Sequence, residues 1–155
     1  KNTRNMESMD EINLTQLTDY LGYQLRQAQT ASFRELSAPF RELNVTPGEF
    51  SLMTIFKLNP GIRQTDLLRI YQLDKSTMSV AVKRLVGRGL VCQDQKPDDR
   101  RFHALSLTLR GRKLLAAATE LVDAQERLME KALAGIDRDL VMEALRRIVD
   151  ELRQD

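Results

Sequence analysis

The stretch KSTMSVAVKRLVGRGLVCQDQKPDDRRFHALSLT, residues 75–108, changes its hydrophobic period part-way along, and that change decides the fold. In its first half Met78, Val82 and Leu85 recur at helical spacing, leaving Ser76, Thr77, Ser79, Val80, Lys83 and Arg84 on the other faces. Gly89 is placed to end that helix with a positive φ. In the second half LVCQDQ and RFHALSLT have strand character, with Phe102, Ala104 and Ser106 on one side and His103, Leu105 and Leu107 on the other. KPDDR between them predicts a β-hairpin with a charged tip. Immediately upstream, IRQTDLLRIYQ reads as a short helix and LD as a turn, with Asp74 placed to cap the helix that follows. Helix, turn, helix and hairpin in this order predict a winged helix-turn-helix.

The outward face of the second helix is small, hydroxylated and basic, a set that suits approach to a major groove and donation to bases and phosphates. The hairpin tip is then a wing, free to reach the neighbouring groove. Charge distribution points the same way. The whole chain carries only +2, yet between Gly61 and Lys113 twelve basic residues face five acidic ones, giving +7 there and −5 on the two flanks together. A basic middle between acidic ends is the electrostatic footprint of one face meeting a polyanion.

The flanks carry long amphipathic stripes. Leu14, Leu17, Leu21, Leu25 and Ala28 predict one helix from about residue 14 to residue 36, broken by Pro39 and followed by a short piece PFRELN. Thr46, Pro47 and Glu49 form an N-cap and first-turn signature for the helix PGEFSLMTIFKL, which Asn59-Pro60-Gly61 ends. After the wing, Thr108 caps a helix striped by Leu114, Ala118, Leu121, Gln125, Leu128 and Ala132. Gly135 stops it, and Asp137 starts a last helix striped by Leu140, Val141, Ala144, Leu145, Ile148, Val149 and Leu152. A small winged helix cannot bury all these faces, so a symmetric homodimer built from both termini is expected, with Leu14, Leu17, Leu21, Leu121, Leu128, Leu145, Ile148 and Leu152 at its interface. The fold class is mainly α with a small β wing, plus dimerisation helices from both termini. Residues 1–13 are expected as a flexible tail, 14–45 as dimerisation and ligand-pocket helices, 46–108 as the winged helix and 109–155 as C-terminal dimerisation helices.

Composition excludes several chemistries. One cysteine, Cys92, and one histidine, His103, leave no disulfide framework, too few soft ligands for a zinc site, and no Cys/His or Ser/His/Asp machinery. Asp98 and Asp99 are exposed and ringed by arginines, so neither has the buried setting that raises a carboxyl pKa for acid catalysis. No enzyme, cofactor or metal is expected. No apolar run approaches the roughly 18 residues a membrane span needs, and the polar start lacks a secretory pattern, so no membrane association and a cytoplasmic location are expected.

With these elements in place, the sequence resembles the MarR family of bacterial transcriptional regulators from about Leu14 to Leu152. The matching segments are LTQLTDYLGYQLRQAQ, LNVTPGEFSLMTIF, GIRQTDLLRI, DKSTMSVAVKRLVGRGLV and DDRRFHALSLTLRGRKLL. The last is the most specific, because Asp99-Arg100-Arg101, then the strand ending Leu107-Thr108, then Gly111-Arg112 follow the family's wing signature. The resemblance implies that Arg101 enters a minor groove with Asp99 orienting it, favoured by the negative potential of a narrow groove. Arg63, Gln64, Lys75, Ser76, Thr77, Ser79, Val80, Lys83, Arg84 and Arg100 complete the implied DNA-contacting set. Two positions depart from the family pattern: Gln72, where glycine or asparagine is usual in the turn, and Val80, where a polar residue is frequent. At Arg63, where a capping serine or threonine is common, phosphate contact and plain solvation are the two readings.

The resemblance also implies an effector pocket between the dimerisation helices and the winged helix, lined by Tyr20, Tyr23, Arg26, Gln27, Phe40, Phe50 and Met53. Arg26 among rings suits a carboxylate or phenolate on an aromatic body, and GYQLRQAQ has the look of regulators responding to aromatic acids or their CoA thioesters. Packing of the dimer core is the competing role for Tyr20 and Tyr23. Cys92 reads as a small hydrophobe and His103 as a wing residue. The expected protein is a homodimeric repressor binding an inverted-repeat operator on double-stranded DNA and released by a small molecule. A winged-helix module that docks on protein is the alternative, and its binding would not fall steeply with salt.

Overall fold

The computed structural model describes residues 15–71, 75–96 and 99–153, with the backbone alone at 70, 71, 75, 95, 96 and 99–103. The expected tail and Leu14, Gln72, Asp74 and Asp98 lie outside the described residues. The chain divides into two compact units between Glu35 and Leu36.

The first unit holds α1 (Thr15–Thr18) and the opening turns of α2 (Leu21–Glu42). One continuous helix from residue 14 was expected, but the chain breaks after Thr18, whose hydroxyl turns back to the Thr15 carbonyl at 2.9 Å. α2 begins anew at Leu21. Pro39 does not break α2, which continues to Glu42. A proline inside a helix costs about 3 kcal/mol. Leu36 and Phe40 flank it and are buried in the core, and burial of two such side chains returns about 1.5–3 kcal/mol each, enough to carry the helix through.

In the second unit α3 (Pro47–Leu58) starts on the expected N-cap, completed as a reciprocal capping box. The Thr46 hydroxyl accepts from the Glu49 amide at 3.2 Å, and the Glu49 carboxylate accepts from the Thr46 amide at 2.9 Å. Ile62–Arg63, expected as the start of a helix, form a short strand β1, and α4 is confined to Gln64–Tyr71. β1 pairs antiparallel with β3 (Asp99–Leu107) in the register Ile62↔Leu105 and Arg63↔Ala104. β2 (Val91–Lys96) pairs with the other edge of β3 from Val91↔Leu107 to Gln95↔His103, giving the sheet order β1-β3-β2. Leu105 and Leu107 point into the core, as their alternation requires.

Between α4 and β2 lies α5 (Lys75–Gly87), followed by Gly89 at φ +66°. Met78, Val82 and Leu85 are buried, joined by Leu52, Met53, Phe56, Leu67, Leu90 and Leu115 in one hydrophobic cluster. The wing is closed at its base by Thr108. Its hydroxyl donates to the Gly89 carbonyl at 2.7 Å and caps α6 (Leu109–Ala132) by accepting from the Gly111 amide at 3.0 Å. Leu115 and Ala118 on the first turns of α6 complete the core. α7 (Arg138–Leu152) is capped by Asp137, whose carboxylate accepts from the Asp139 amide at 2.8 Å. Leu140, Leu145, Val149 and Leu152 on α7, and Leu128 on α6, are exposed. Leu121 is half-buried and packs against the core. Among the described residues no helix is long and apolar enough to cross a membrane, and no cluster of His, Cys, Asp and Glu could hold a metal ion.

Candidate nucleic-acid interface

The site grows from the amphipathicity of α5. Because Met78, Val82 and Leu85 are sealed into the core, the helix turns Ser76, Thr77, Lys83 and Arg84 to solvent, as a period of about 3.6 residues dictates. Val80 shares that face at 66% exposure, an apolar surface that core packing does not use. Ser79 is half-buried. Ser76, Thr77, Val80, Ala81 and Arg84 line one side of an open cleft of about 350 Å³, with Thr46 and Glu49 at the start of α3 on its other side.

Arg84 is not a free cation on this face. Its Nε lies 3.1 Å from Oε1 of Glu49, and its Nη2 donates to Oδ1 of Asn44 at 3.2 Å. Arg88, one turn further along, brings Nη1 to 3.6 Å from the same Glu49 oxygen. The Glu49 side chain is only 4% exposed; the capping box occupies Oε2, while the ion pairs at Oε1 lie outside hydrogen-bond geometry. A buried carboxylate is tolerable only when cations compensate for its lost hydration, and two arginines supply that charge. Sequence reasoning used Glu49 as a capping residue and missed this second role, because its partners lie on a helix far along the chain. Asn44 was missed too; it sits in the turn after α2 at φ +53°.

Arg63 ends the edge strand β1 and pairs with Asp66, Nε to Oδ2 at 3.0 Å, with over half of its side chain exposed. Gln64 opens α4 and is half-buried. For Lys75, Asp99, Arg100 and Arg101 the backbone alone is described: Lys75 starts α5, and the other three open β3, with Asp99 paired to Lys96 across the hairpin. Cys92 is half-buried in β2, its thiol donating to the Ser106 carbonyl at 3.3 Å.

The expected effector residues separate between the two units. Tyr20, Tyr23, Arg26 and Gln27 belong to the first. There the Arg26 guanidinium stacks 5.3 Å from the Tyr23 ring centre, and Gln27 donates to the Tyr23 hydroxyl at 3.2 Å. Phe40, Phe50 and Met53 belong to the second. Phe40 and Phe50 meet at a ring-centre distance of 5.8 Å. Phe40 at 2% exposure and Met53 at 0% belong to the buried hydrophobic cluster, and by pattern a core stripe and a pocket stripe share one apolar periodicity.

Comparison with known proteins adds independent information. The sequence profile of the MarR family matches residues 45–103. Over 136 residues the chain is 31% identical to the transcriptional regulatory protein assigned to the hcr operon of Thauera aromatica, covering 87% of this chain and 80% of that one. The repressor CouR bound to a 23-mer DNA duplex superposes with a TM-score of 0.76 at 30% identity, covering 92% of this chain and 99% of that one. CouR bound to p-coumaroyl-CoA superposes with a TM-score of 0.72 at 28% identity, covering 94% and 100%.

Proposed function

The chain belongs to the MarR family of transcriptional regulators, and on that premise we propose that it is a homodimeric, ligand-responsive repressor of an inverted-repeat operator. The observation that carries this reading is the exposed face of α5, where Ser76, Thr77, Val80 and Lys83 stand opposite a buried Met78–Val82–Leu85 stripe. Support comes from the similarity to a repressor bound to a DNA duplex. Each protomer inserts α5 into a major groove, where hydroxyls and Lys83 donate to bases and phosphates and Val80 offers an apolar contact to a thymine methyl. The wing carries Arg101 to the flanking minor groove, with Asp99 as its orienter. Lys75, Arg100, Arg63 and Gln64 contact the backbone around them.

In this proposal residues 46–108 bind DNA, while 14–45 and 109–155 supply the effector and dimer contacts. The exposed leucines of α6 and α7 meet their symmetry mates. Tyr20, Tyr23, Arg26 and Gln27 bind the effector, an aromatic acid or its CoA thioester, a class supported by the p-coumaroyl-CoA complex of a similar repressor. Effector binding favours a spacing of the two recognition helices that no longer fits half-sites one helical turn apart, which requires unequal affinity for the two spacings.

The test is binding of purified protein to short fragments from its own upstream region across a salt series. Tight binding specific for an inverted repeat, falling steeply with salt, is the expected result, and Arg101→Ala weakens it without dissociating the dimer. Binding that is weak and indifferent to sequence and salt would overturn the repressor reading in favour of a protein-docking module.

A further inference from the structure

The ion pairs at the start of α3 assign Arg84 a task different from the one its exposed position suggests. A guanidinium on the solvent face of a recognition helix would ordinarily be a phosphate contact. Here it is already engaged on two sides, by Glu49 Oε1 at 3.1 Å and by Asn44 Oδ1 at 3.2 Å. The Glu49 carboxylate is buried and fixed from behind by the Thr46 amide, so it cannot swing away to release the arginine. Arg88 adds a second tie from α5 to the same oxygen. Asn44 lies in the turn between α2 and α3 and Glu49 in the first turn of α3, so the cluster fastens the DNA-facing helix to the start of α3 and to the turn before it, both remote from it in sequence.

We propose that Arg84 is a positioning residue, clamped by Glu49 and Asn44, which sets the angle at which α5 leaves the protein surface instead of neutralising operator phosphate. Geometry at that point governs whether Ser76, Thr77 and Val80, one and two turns earlier on the same face, reach base edges. The clamp therefore acts on sequence discrimination and leaves nonspecific attraction to DNA untouched. This inference rests on the DNA-binding reading above.

The two roles differ in a measurable sign. A phosphate contact contributes about 0.9 to the slope of log K against log salt; a clamped arginine contributes nothing. Glu49→Gln removes the charge yet retains a side chain able to complete the capping box, and Asn44→Gly keeps the left-handed backbone while deleting the amide acceptor. Operator and nonspecific binding are measured between 50 and 200 mM salt, the range over which such slopes are resolved, for the full-length wild type, Arg84→Ala, Glu49→Gln, their double variant and Asn44→Gly. Circular dichroism verifies that each is folded.

The expected result is that Arg84→Ala lowers the ratio of operator to nonspecific binding about tenfold, the size of a modest coupling energy, with the salt slope unchanged. Glu49→Gln lowers the ratio comparably and steepens the slope, because a freed guanidinium becomes available to phosphate. The double variant is no less discriminating than the poorer single variant, and Asn44→Gly shifts the ratio in the same direction by a smaller factor. A slope that falls by about 0.9 in Arg84→Ala, with equal losses on operator and nonspecific DNA and no effect of Glu49→Gln on discrimination, would overturn the clamp and make Arg84 a phosphate contact. Should Glu49→Gln fail to fold, Asn44→Gly and Arg84→Ala decide the matter by the same slope and ratio. A wild type without sequence-specific, salt-dependent binding refutes the DNA-binding reading itself, and the positioning role with it.

Discussion

Replacing Gly111 by alanine should unfasten the wing from the helix behind it. A methyl carbon built at Gly111 would sit 2.0 Å from the Leu90 carbonyl oxygen, 3.0 Å from its carbon and 3.2 Å from Cδ2 of Leu107, whereas ordinary contact begins near 3.4 Å. The first turn of α6 and the entry to β2 would have to part by about 1.4 Å along that line, the difference between 3.4 and 2.0 Å. The Leu90 oxygen cannot yield freely, because it accepts from the Thr108 amide at 3.1 Å and the Thr108 hydroxyl at 3.2 Å, while the same hydroxyl holds the Gly89 carbonyl at 2.7 Å. Overpacking of this kind costs about 1–3 kcal/mol, and each hydrogen bond broken in relieving it about 1 kcal/mol. Alanine's better helix propensity returns about 1 kcal/mol. A net loss of about 3 kcal/mol follows, measured by urea unfolding with circular dichroism at one fixed protomer concentration, since the proposed dimerisation would make stability concentration-dependent. At about 2–4 °C per kcal/mol for a chain of this size, the melting temperature drops by about 6–12 °C. A Gly111→Ala protein within about 0.5 kcal/mol of wild type, the scatter of ordinary surface substitutions, would refute the close approach.

Thr108→Val retains the shape of the side chain but loses the hydroxyl, so it should cost about 1–2 kcal/mol in the same assay, while Thr108→Ser stays near wild type; equal behaviour of the two would remove the hydroxyl from the account. Leu145→Asp puts a charge on the exposed stripe of α7 and should yield monomers by light scattering after size exclusion; a persistent dimer would place the interface elsewhere. Arg26→Ala should leave operator affinity unchanged and blunt release by an aromatic acid or its CoA thioester, and a full response in that variant would count against the proposed effector site.

Much of this was legible because it is local. The N-cap and first-turn signature of Thr46 and Glu49, the cap at Thr108, the helix start at Asp137 and the positive φ of Gly89 all involve partners within a few residues. The buried stripe of α5 and the inward side of β3 followed from the helical and extended periods. Other features had no local signal. A strand of two residues is too short to show a period, so Ile62 and Arg63 were read as helix, and β1 exists because β3 offers it a ladder. Pro39 carries the signature of a helix end, and only the burial of Leu36 and Phe40 overrides it. The apolar positions Phe40 and Met53 fit a pocket and a core equally well by pattern.

The sequence by itself therefore determined most of the helical and extended segments, many of their ends, and which face of the recognition helix is left to water, since those are settled by chain geometry and near-neighbour bonding. The tertiary structure alone decided that Gly111 must be glycine, that Phe40 and Met53 fill the core, and that a buried carboxylate at Glu49 gathers Arg84 and Arg88. Each of these depends on atoms remote in sequence competing for one small volume or one uncompensated charge, and such competition leaves no trace in the spacing of residues along the chain.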